Sequence, residues 1–390
     1  GIQDFNFYEE SGKLVGIMGG SGVGKSTLLN VLNGSLTPQQ GEILVNGFNL
    51  YAEKDKEALK GVIGFIPQDD LLIEDLTVYQ NLYYNARLCL DDLNEQEIEE
   101  VVEQVLSDLD LTDIRDLKVG KPLSKVISGG QRKRVNIGLE LLREPSILFV
   151  DEPTSGLSSV DSEMVMNLLK EQVYKGRLVV VNIHQPSSNL YKMFDRIIFL
   201  DRGGYQIYYG NPSEAVIYFK TQSNHANAKE DQCPRCGNVD PDQILQIIEA
   251  KIGNEHGKLS KTRKVSPSEW YTLFREEGPY SAVPRPGKSE LPPNNYSIPG
   301  LATQLKLFFT RDLLSKLTNR QYILISVLEA PLLAIILAFF TKYFHGTAGD
   351  PDAYVFRHND NLPAYLFICV IVFLFIGLTM SSEEIIKDRR

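Results

Sequence analysis

The most constraining feature of the sequence is a glycine-rich stretch at residues 16–34, GIMGGSGVGKSTLLNVLNG. The apolar run Leu14 to Gly19 predicts a buried strand, and the apolar spacing of KSTLLNVLNG predicts a helix that ends at Gly34. The turn between them fits the pattern G-x-x-x-x-G-K-[ST]. Bare glycine backbone lets a polyphosphate approach the N–H groups at the start of a helix. The stretch therefore predicts a site for a nucleoside triphosphate.

Residues of this loop are the candidate nucleotide ligands. They are Gly19, Gly20, Ser21, Gly22, Gly24, Lys25, Ser26 and Thr27. Lys25 is predicted to reach the β- and γ-phosphates, and the Ser26 hydroxyl is predicted to ligate Mg²⁺. A flexible glycine-rich loop is the alternative interpretation, but strand, loop and helix follow in the order that a phosphate site requires.

A second stretch, SILFVDEPTSG, offers the metal ligand and the base that the use of a triphosphate requires. The apolar run Ile147 to Val150 is typical of a parallel strand buried on both faces, and Asp151 and Glu152 follow it directly. Asp151 is predicted to bind Mg²⁺ through water, and Glu152 to polarise the attacking water. An acidic pair after a strand is also common as a helix cap, and the phosphate loop makes that alternative the weaker one.

A third stretch, VISGGQRKR, repeats the chemistry of a phosphate site without a lysine. Ser128, Gly129, Gly130 and Gln131 place a hydroxyl and bare backbone at the predicted start of a helix. One nucleotide cannot occupy two distant phosphate sites in one subunit. The chain thus has more phosphate-binding surface than a single nucleotide in a single subunit can use.

The order of these motifs, followed by a lone histidine in NIHQP, resembles that of the ATP-binding cassette ATPases. The resemblance implies ATP and Mg²⁺ as ligands. It implies that Gln68, in GFIPQDD, senses Mg²⁺ and the membrane domain, and that His184 contacts the γ-phosphate. A lone histidine after a strand is more often a core or capping residue, but its place in this series favours the family role.

The same resemblance implies a division of roles among the candidate residues. Glu152, His184 and Gln68 form the implied catalytic set, and Ser26, Gln68 and Asp151 form the implied metal set. In the family, the signature segment, here residues 128–131, caps the ATP that the other subunit binds. Hydrolysis therefore needs two cassettes head to tail, and the chain carries one of each motif. The implied partner is a second copy or a similar chain.

Composition argues against one class of protein and is ordinary for a folded one. At 390 residues, with 43% hydrophobic and 23% charged content, the chain is long enough for two domains. Its formal net charge of −10 argues against a nucleic-acid binder, which normally presents a basic face. Residues 1–13 lack the basic and apolar regions of a signal peptide and look like the interior of a domain.

Aromatic residues near the start are predicted to belong to a strand. They are Phe5, Phe7 and Tyr8. The aromatic residue that stacks on adenine in the family lies upstream of the position that Gly1 matches, so this sequence offers no candidate for it.

The cysteines do not suggest a disulfide framework. They are Cys89, Cys233, Cys236 and Cys369. CPRCG has the spacing of half a zinc knuckle, but no second cysteine pair or histidine cluster follows nearby. Solvated loop cysteines are the favoured interpretation, and a zinc site is the alternative.

The predicted fold class is an α/β P-loop NTPase cassette with a helical subdomain, followed by an all-α transmembrane domain that is truncated. The cassette is placed at residues 1–220, with the helical subdomain at about 71–143. Within it, NEQEIEEVVEQVLSDLDL predicts an amphipathic helix whose apolar face carries Ile98, Val101, Val102, Val105, Leu106 and Leu109. Residues 221–300 are polar and are predicted to be a linker with one short helix at DPDQILQIIEAKI.

Residues 301–390 have the composition of a membrane segment. Residues 301–320 mix leucine and phenylalanine with Lys306, Arg311, Lys316 and Arg320, which predicts an amphipathic helix along a membrane surface. Two apolar stretches follow, at about 322–344 and 362–380, and each is long enough to cross a bilayer. The loop between them leans acidic and the outer flanks are basic, which places the cassette of a multi-pass protein in the cytoplasm.

The order of cassette, linker, surface helix and spans resembles the White, or ABCG-type, half-transporters, as do DEPTSGL and NIHQPSSNLYKMFDRIIFLDRGG. Family members carry six spans per half, so the resemblance implies that a chain with two is a fragment. It implies a dimer in contact with membrane lipids, and not with nucleic acid, that exports a lipid-like or amphipathic substrate. One alternative is a membrane-anchored cassette ATPase with a mechanical or regulatory role. A soluble cassette acting on ribosomes or DNA, and an importer, are the others.

The sequence departs from the family pattern at two positions. Ile127 stands where leucine is usual, a volume-conserving change that we expect to be silent. Ser158 stands where the family has an aspartate that couples the two sites across the dimer, and Asp161, one turn further on, is a candidate substitute.

One acid, Glu329, lies inside the first predicted span, two residues before Pro331. An ionised carboxylate at the centre of a bilayer is costly, so this residue is expected to face protein or water. It either contacts the polar part of a substrate, or bonds to another helix, or is protonated and inert. The last two alternatives are favoured over the first.

Overall fold

The structure is a computed structural model that describes residues 1–121, 124–224, 228, 230–233, 236–253, 259–276, 287–343 and 359–388. It divides into two compact units, Gly1–Phe308 and Phe309–Arg390.

The helices and strands alternate through the first unit, as the sequence predicts for an α/β fold. In chain order they are β1 (Leu14–Gly19), α1 (Lys25–Leu32), β2 (Leu44–Val45), β3 (Phe48–Asn49), α2 (Glu53–Lys56), β4 (Ile63–Ile66), α3 (Val78–Cys89), α4 (Glu95–Asp108), β5 (Gly120–Lys121), β6 (Ser124–Lys125), α5 (Gly129–Leu141), β7 (Ile147–Asp151), α6 (Ser159–Tyr174), β8 (Leu178–Asn182), α7 (Ser188–Lys192), β9 (Arg196–Asp201), β10 (Tyr205–Gly210), α8 (Pro212–Gln222), α9 (Pro241–Ile248), β11 (Lys251–Gly253), β12 (Leu259–Arg263) and α10 (Pro267–Glu276). A 3-10 turn, Thr112–Ile114, follows α4.

A six-stranded sheet in the order β10-β9-β1-β8-β7-β4 forms the centre of this unit. Its strands pair in parallel, except that β10 runs antiparallel to β9. Every residue of β1 is buried, as its unbroken apolar run predicts for a parallel strand covered on both faces. Because parallel strands end at the same edge of the sheet, the loops after β1, β4, β7 and β8 lie along one edge.

Two apolar clusters cover the two faces of the sheet. On one face α1 packs through Leu28, Leu29 and Leu32. The other face carries the larger cluster, which extends through the helices of residues 71–143. There α3, α4 and α5 each begin with a capping box, in which the N-cap side chain and the third helical residue satisfy each other's backbone N–H. The predicted apolar face of α4 is confirmed, with Ile98, Val102, Val105, Leu106 and Leu109 buried.

The strand prediction for Phe5, Phe7 and Tyr8 is wrong. Of residues 1–13, only Gln3 forms an isolated bridge, to Tyr205. Asn6 donates its backbone N–H to the Gln206 side chain at 3.0 Å, where a strand would bond to backbone. Phe5 and Phe7 pack against the α1 face of the sheet as partly buried side chains. The alternation of apolar residues here thus reflects side-chain packing against the sheet and not backbone pairing within it.

More of residues 221–300 folds than the sequence indicates. The predicted helix is present as α9, and a hairpin of β11 and β12 and a further helix, α10, follow it. Trp270 and Phe274 of α10 are 0% and 1% exposed, in contact with the aromatic side chains of Phe219 and Tyr208. A short helix with two buried aromatic side chains is stabilised by that contact and not by its local sequence. Residues 277–286 lie outside the described part of the chain.

An extended segment, residues 288–297, runs along the surface of the first unit and is called the strap here. At its start, Lys288 Nζ lies 2.6 Å from Asp55 Oδ1, and Ser289 N donates to the Asn46 carbonyl at 3.0 Å. At its end, Ser297 N donates to the Cys89 carbonyl at 2.9 Å. The strap therefore joins the β2–α2 region to the end of α3.

The second unit consists of long apolar helices, which continue from α11 (Leu301–Thr318). Exposed apolar side chains form one stripe along α11, at Leu301, Leu305, Phe309, Leu313 and Leu317. α12 (Arg320–Phe340) includes Tyr322–Phe340, 19 residues of mean hydropathy 2.6, long and apolar enough to cross a membrane. α13 (Leu362–Asp388) holds a shorter apolar stretch, Leu362–Leu378. The predicted acidic loop lies mostly outside the described residues.

Glu329 is partly exposed and α12 continues through Pro331. Cys233 and Cys236 are exposed, and residues 234–235 between them are not described. Among the residues that the structure describes, no group of three or more histidine, cysteine, aspartate or glutamate side chains could hold a metal ion.

Candidate nucleotide-binding site

The phosphate loop, residues 19–27, joins β1 to α1 in a backbone path that needs glycine. Gly22 and Gly24 have φ angles of 74° and 109°, which side chains rarely allow. A Cβ on Gly19 would lie 2.3 Å from the carbonyl oxygen of Leu200. Gly24 is the N-cap of α1 and provides no side-chain acceptor. The first N–H groups of α1 are therefore open to an anion.

Lys25 lies over this loop. Its Nζ donates to the carbonyl oxygens of Gly19 at 3.0 Å and Gly20 at 3.1 Å, and the residue is 7% exposed. Burial lowers the pKa of Lys25, and the negative charges of Glu152 and Asp151 oppose that shift. An ammonium near two carboxylates and a bare loop can exchange its carbonyl partners for phosphate oxygens. The loop also carries three side chains with hydroxyl groups, Ser21, Ser26 and Thr27, and these residues are exposed.

Asp151 ends β7 at the edge where the phosphate loop begins. Its Oδ1 accepts a hydrogen bond from Ser26 Oγ at 3.4 Å, and the amide of Asn182 also donates to Oδ1. The structure thus brings together the two predicted oxygen ligands for a metal, from α1 and from β7. Hydroxyl and carboxylate oxygens are the ligand types that Mg²⁺ prefers.

Glu152 follows with a φ of 42°, an unusual value for a residue with a side chain. Its backbone N–H donates to the Asn182 carbonyl at 3.0 Å, and its Oε2 accepts from Gln68 Nε2 at 3.1 Å. Gln68 is the second residue after β4, the neighbour of β7 in the sheet. Two residues far apart in sequence are therefore in contact because their strands are adjacent.

The signature helix α5 holds the Gln68 segment in place. Lys133, 9% exposed, donates from Nζ to the carbonyls of Pro67 at 3.2 Å and Gln68 at 3.0 Å. Arg132 forms a bidentate pair with Asp70 at 2.6 and 2.9 Å. Burial lowers the pKa of Lys133, with Asp70 the strongest opposing charge. Sequence reasoning missed both cations, and the one available signal was the run RKR inside a buried helix.

The signature segment has a different environment. Ser128 is the N-cap of α5, and it exchanges hydrogen bonds with Gln131 at 3.1 and 2.8 Å. Within the described part of the chain, neither of them bonds to the phosphate loop. A Cβ on Gly130 would lie 2.3 Å from Asp161 Oδ1, whereas one on Gly129 would meet only Leu157, at 3.4 Å. The single chain therefore keeps its signature segment apart from its own phosphate loop.

Ser158 caps α6 at the position where the family has aspartate. Its Oγ accepts from the Asp161 N–H at 3.1 Å and donates to Asp161 Oδ2 at 2.8 Å. The carboxylate of Asp161 is thus turned back to the start of α6 and lies against Gly130. A role for Asp161 in place of the usual aspartate stays a prediction.

His184 follows β8 and lines a cleft of about 270 Å³ with Gly20, Ser21 and Gln185. The opposite wall is α9 and the residue after it, through Asp242, Leu245, Gln246 and Glu249. A Cβ on Gly20 would lie 2.9 Å from Glu249 Oε1. Arg263 holds Glu249 at 3.1 Å and pairs with the buried Asp201. Sequence reasoning placed α9 in a linker and missed this wall, because the burial of Ile244 and Ile248 positions it.

Comparison with known families agrees with this geometry. The family model described as "ABC transporter" matches residues 2–155, which hold the phosphate loop, Gln68, the signature segment, Asp151 and Glu152. A second model, "ABC-2 type transporter", matches residues 184–273. Residues 2–155 therefore belong to the ABC transporter family, and the curated relatives of the chain are of the G, or White-brown, type. The second match ends before α11, so it does not cover the apolar helices of this chain.

Curated relatives of this chain include proteins of a plant and a fungus. ABC transporter G family member 28 of Arabidopsis thaliana is 42% identical over 213 residues, 54% of this chain and 19% of that protein. G family member 13 of the same plant is 34% identical over 265 residues, 67% of this chain and 37% of that protein. The ABC-type transporter claG of Penicillium crustosum is 38% identical over 211 residues, 54% of this chain and 28% of its own.

The chain thus spans 19% to 37% of the length of these relatives. Among solved structures, cbiO1 from Clostridium perfringens, part of the ABC transporter complex cbiONQ, matches 57% of this chain and 88% of its own, at 29% identity and a TM-score of 0.48.

Proposed function

We propose that this chain is the ATP-hydrolysing part of a G-type exporter that works as a dimer. The observation that carries the proposal is the convergence of Lys25, Ser26, Asp151, Glu152 and Gln68 on one bare helix start. Each of these side chains already contacts another of the set or the loop itself. The ends of two strands, β4 and β7, and the start of one helix, α1, supply them, as in a preorganised site.

In this proposal the phosphate loop binds the triphosphate through the open N–H groups of α1. Lys25 leaves the Gly19 and Gly20 carbonyls and donates to the β- and γ-phosphates. Burial strengthens this contact, because a charge pair is less screened away from water. His184, which lines the cleft beside Gly20 and Ser21, donates to the γ-phosphate.

The donor set fits Mg²⁺. Ser26 and Asp151 are oxygen ligands already in contact, and Gln68 adds a carboxamide from the neighbouring strand. When bound, the ion supplies positive charge to the phosphate oxygens. Glu152 takes the proton of the attacking water, and the Gln68 amide holds its carboxylate in one orientation.

The signature segment is proposed to complete the site of a second chain. Ser128, Gly129 and Gly130 offer a hydroxyl and bare N–H groups at the start of α5, and their own phosphate loop does not use them. This arrangement predicts that the two motifs work in trans.

A mixing experiment tests the trans arrangement. One variant is Lys25→Ala, which disables the phosphate loop. The other is Gly129→Asp, which puts a negative charge where the second phosphate site would be. Gly129 has room for a side chain, and an aspartate in the first turn favours the helix, so this variant should fold. Each variant alone should be inactive.

Mixed dimers of the two single variants hold one intact site, built from the loop of one chain and the signature of the other. ATPase activity should therefore return on mixing. Dimers of the wild type with the double variant have no intact site, so their activity should vanish. The opposite pattern in both mixtures would show that loop and signature act within one chain, and would refute the proposal.

We further propose that the apolar helices place this chain in a membrane with the cassette on the cytoplasmic side, and that the substrate is amphipathic or lipid-like. The length and hydropathy of α12 and the basic character of α11 support the membrane placement. The substrate class is what the resemblance to the G-type half-transporters implies. A lipid-stimulated ATPase assay on the dimer in nanodiscs tests it. ATPase activity that no lipid or amphiphile alters would favour a mechanical or regulatory role instead.

A further inference from the structure

Asn182 is a buried amide at the edge of the sheet where the phosphate loop, Asp151 and Glu152 lie, which is called the nucleotide edge here. It is the last residue of β8, and it pairs in register with Asp151 on one neighbouring strand and Ile17 on the other. Apolar residues make up the rest of β8, and Asn182 itself is 0% exposed. A fully buried amide at the end of such a strand is unusual unless its polar atoms are used.

Two of its atoms hold the two acidic residues at the end of β7, Asp151 and Glu152. The side-chain nitrogen donates to Asp151 Oδ1, the same oxygen that accepts from Ser26. The backbone oxygen accepts the N–H of Glu152 at 3.0 Å, which supports the unusual backbone conformation of that residue. One residue therefore fixes both carboxylates of the site.

The third polar atom, the amide oxygen of Asn182, is buried and has no hydrogen-bond partner among the residues that the structure describes. The carboxylate of Asp151 can only accept, so the amide nitrogen must face it and the oxygen must face elsewhere. A buried acceptor without a partner destabilises a fold, and such groups in native structures are usually satisfied by water or a ligand. This acceptor belongs to the group that holds a proposed metal ligand.

We propose that Asn182 is a positioning residue for the Mg²⁺ centre, with its nitrogen orienting Asp151 and its oxygen accepting a hydrogen bond from the water that surrounds the ion. This inference rests on the proposed ATPase function. Groups that orient metal ligands in this way typically contribute 10–100-fold to metal affinity or activity. A buried amide that only completes the strand would contribute to stability alone.

Asn182→Leu tests the proposal, because it keeps the volume and removes both polar side-chain atoms. Gln206→Met is the matched control. Gln206 is 1% exposed in the same sheet, and one of its amide atoms bonds to Asn6 while the other lacks a partner within the described chain. Both variants lose a buried amide side chain. Only that of Asn182 lies beside Asp151 and the phosphate loop, so only its loss should affect metal binding.

The readout is metal binding. Mn²⁺ titration of the complex with a non-hydrolysable ATP analogue, followed by electron paramagnetic resonance, gives metal affinity, and analogue binding in EDTA gives the metal-free affinity. Asn182→Leu should weaken Mn²⁺ binding by about 10-fold or more and leave the metal-free affinity within about twofold, because Lys25 and the loop are intact. Gln206→Met should change neither.

If Asn182→Leu binds Mn²⁺ within about twofold of the wild type, the residue is structural and the inference is overturned. If Asn182→Leu does not fold, Asn182→Ser is measured in its place; its shorter hydroxyl should also weaken Mn²⁺ binding, and unchanged binding again overturns the inference. A wild type that binds no ATP analogue would instead refute the proposed function.

Discussion

Lys133 offers a test of how the signature helix α5 positions the segment that carries Gln68, which contacts the proposed base Glu152. Replacing Lys133 with methionine keeps the length of the side chain and removes the two hydrogen bonds to the Pro67 and Gln68 carbonyls. Hydrogen bonds from a charged donor contribute about 1.5–3 kcal/mol each, which bounds the loss at about 3–6 kcal/mol. Burial already lowers the pKa of Lys133, so removing a poorly solvated charge offsets part of that loss. We expect a net destabilisation of about 1–3 kcal/mol.

The effect on catalysis should be larger than the effect on binding. Without Lys133, the segment that carries Gln68 is free to shift, and with it the contact that orients Glu152. Small misplacements of catalytic groups reduce rates by up to about 100-fold. The kcat of Lys133→Met should therefore fall by about 10–100-fold, with the KM for ATP within about threefold, because the phosphate loop is untouched.

Arg134→Met is the matched control on the same helix. Arg134 is 7% exposed and donates to the Leu109 and Asp110 carbonyls at 2.8 and 3.0 Å, and none of its hydrogen bonds within the described chain goes to Gln68. Urea denaturation and steady-state ATPase kinetics should show similar stability losses for the two variants but a reduced kcat only for Lys133→Met. An equal kcat in both variants would refute the reasoning.

Glu152→Gln keeps its size and its contact with Gln68 but cannot accept a proton, so ATP turnover should fall by ~10²–10⁴-fold while ATP binding persists; near-normal turnover in an ATPase assay contradicts this role. Lys25→Ala removes the fixed positive charge at the loop and should abolish ATP binding, which equilibrium binding measures; unchanged affinity refutes it. A hydrogen bond from Lys288 lowers the pKa of Asp55, so this contact stabilises the fold above the ordinary value of 3.8 and is lost as the pH falls through the lowered folded-state value. Lys288→Met should therefore lower the urea midpoint at about pH 7, with a gap from the wild type that closes as the pH falls below about 4; a constant gap contradicts this. Glu329→Gln should preserve assembly, and unaltered transport and substrate-stimulated ATPase activity in a stable dimer would exclude a substrate-contacting role.

The local parts of the site could be predicted because local sequence determines them. The loop between β1 and α1 needs glycine at residues 22 and 24 because their φ angles are positive. The glycine-rich stretch between an apolar run and a helical pattern is therefore visible in the sequence. The approach of Asp151 to Ser26 also follows, since the carboxyl ends of parallel strands lie at one edge.

The supporting residues could not be predicted, because tertiary packing places them. Lys133 and Asn182 act on segments more than 30 residues away in sequence, and the residue types alone do not indicate which segments they contact. The α9 wall and α10 are held by buried side chains such as Ile248 and Trp270, which a polar composition conceals. Phe5 shows the opposite error, an apolar pattern that packs on a sheet without joining it.

The strap sets a length limit on the motion of the first unit. Its anchors, Asp55 at one end and Cys89 at the other, lie on opposite sides of the Gln68 segment in the sequence. A fully extended chain spans at most about 3.6 Å per residue, so the strap, residues 288–297, can span at most about 35 Å. A turn of α3 and its neighbours about the sheet would therefore break one of the two anchors of the strap if it separated them by more than this length. Because the same chain enters α11 directly after its last anchor, the range of that turn is fixed at the point where the chain leaves the cassette.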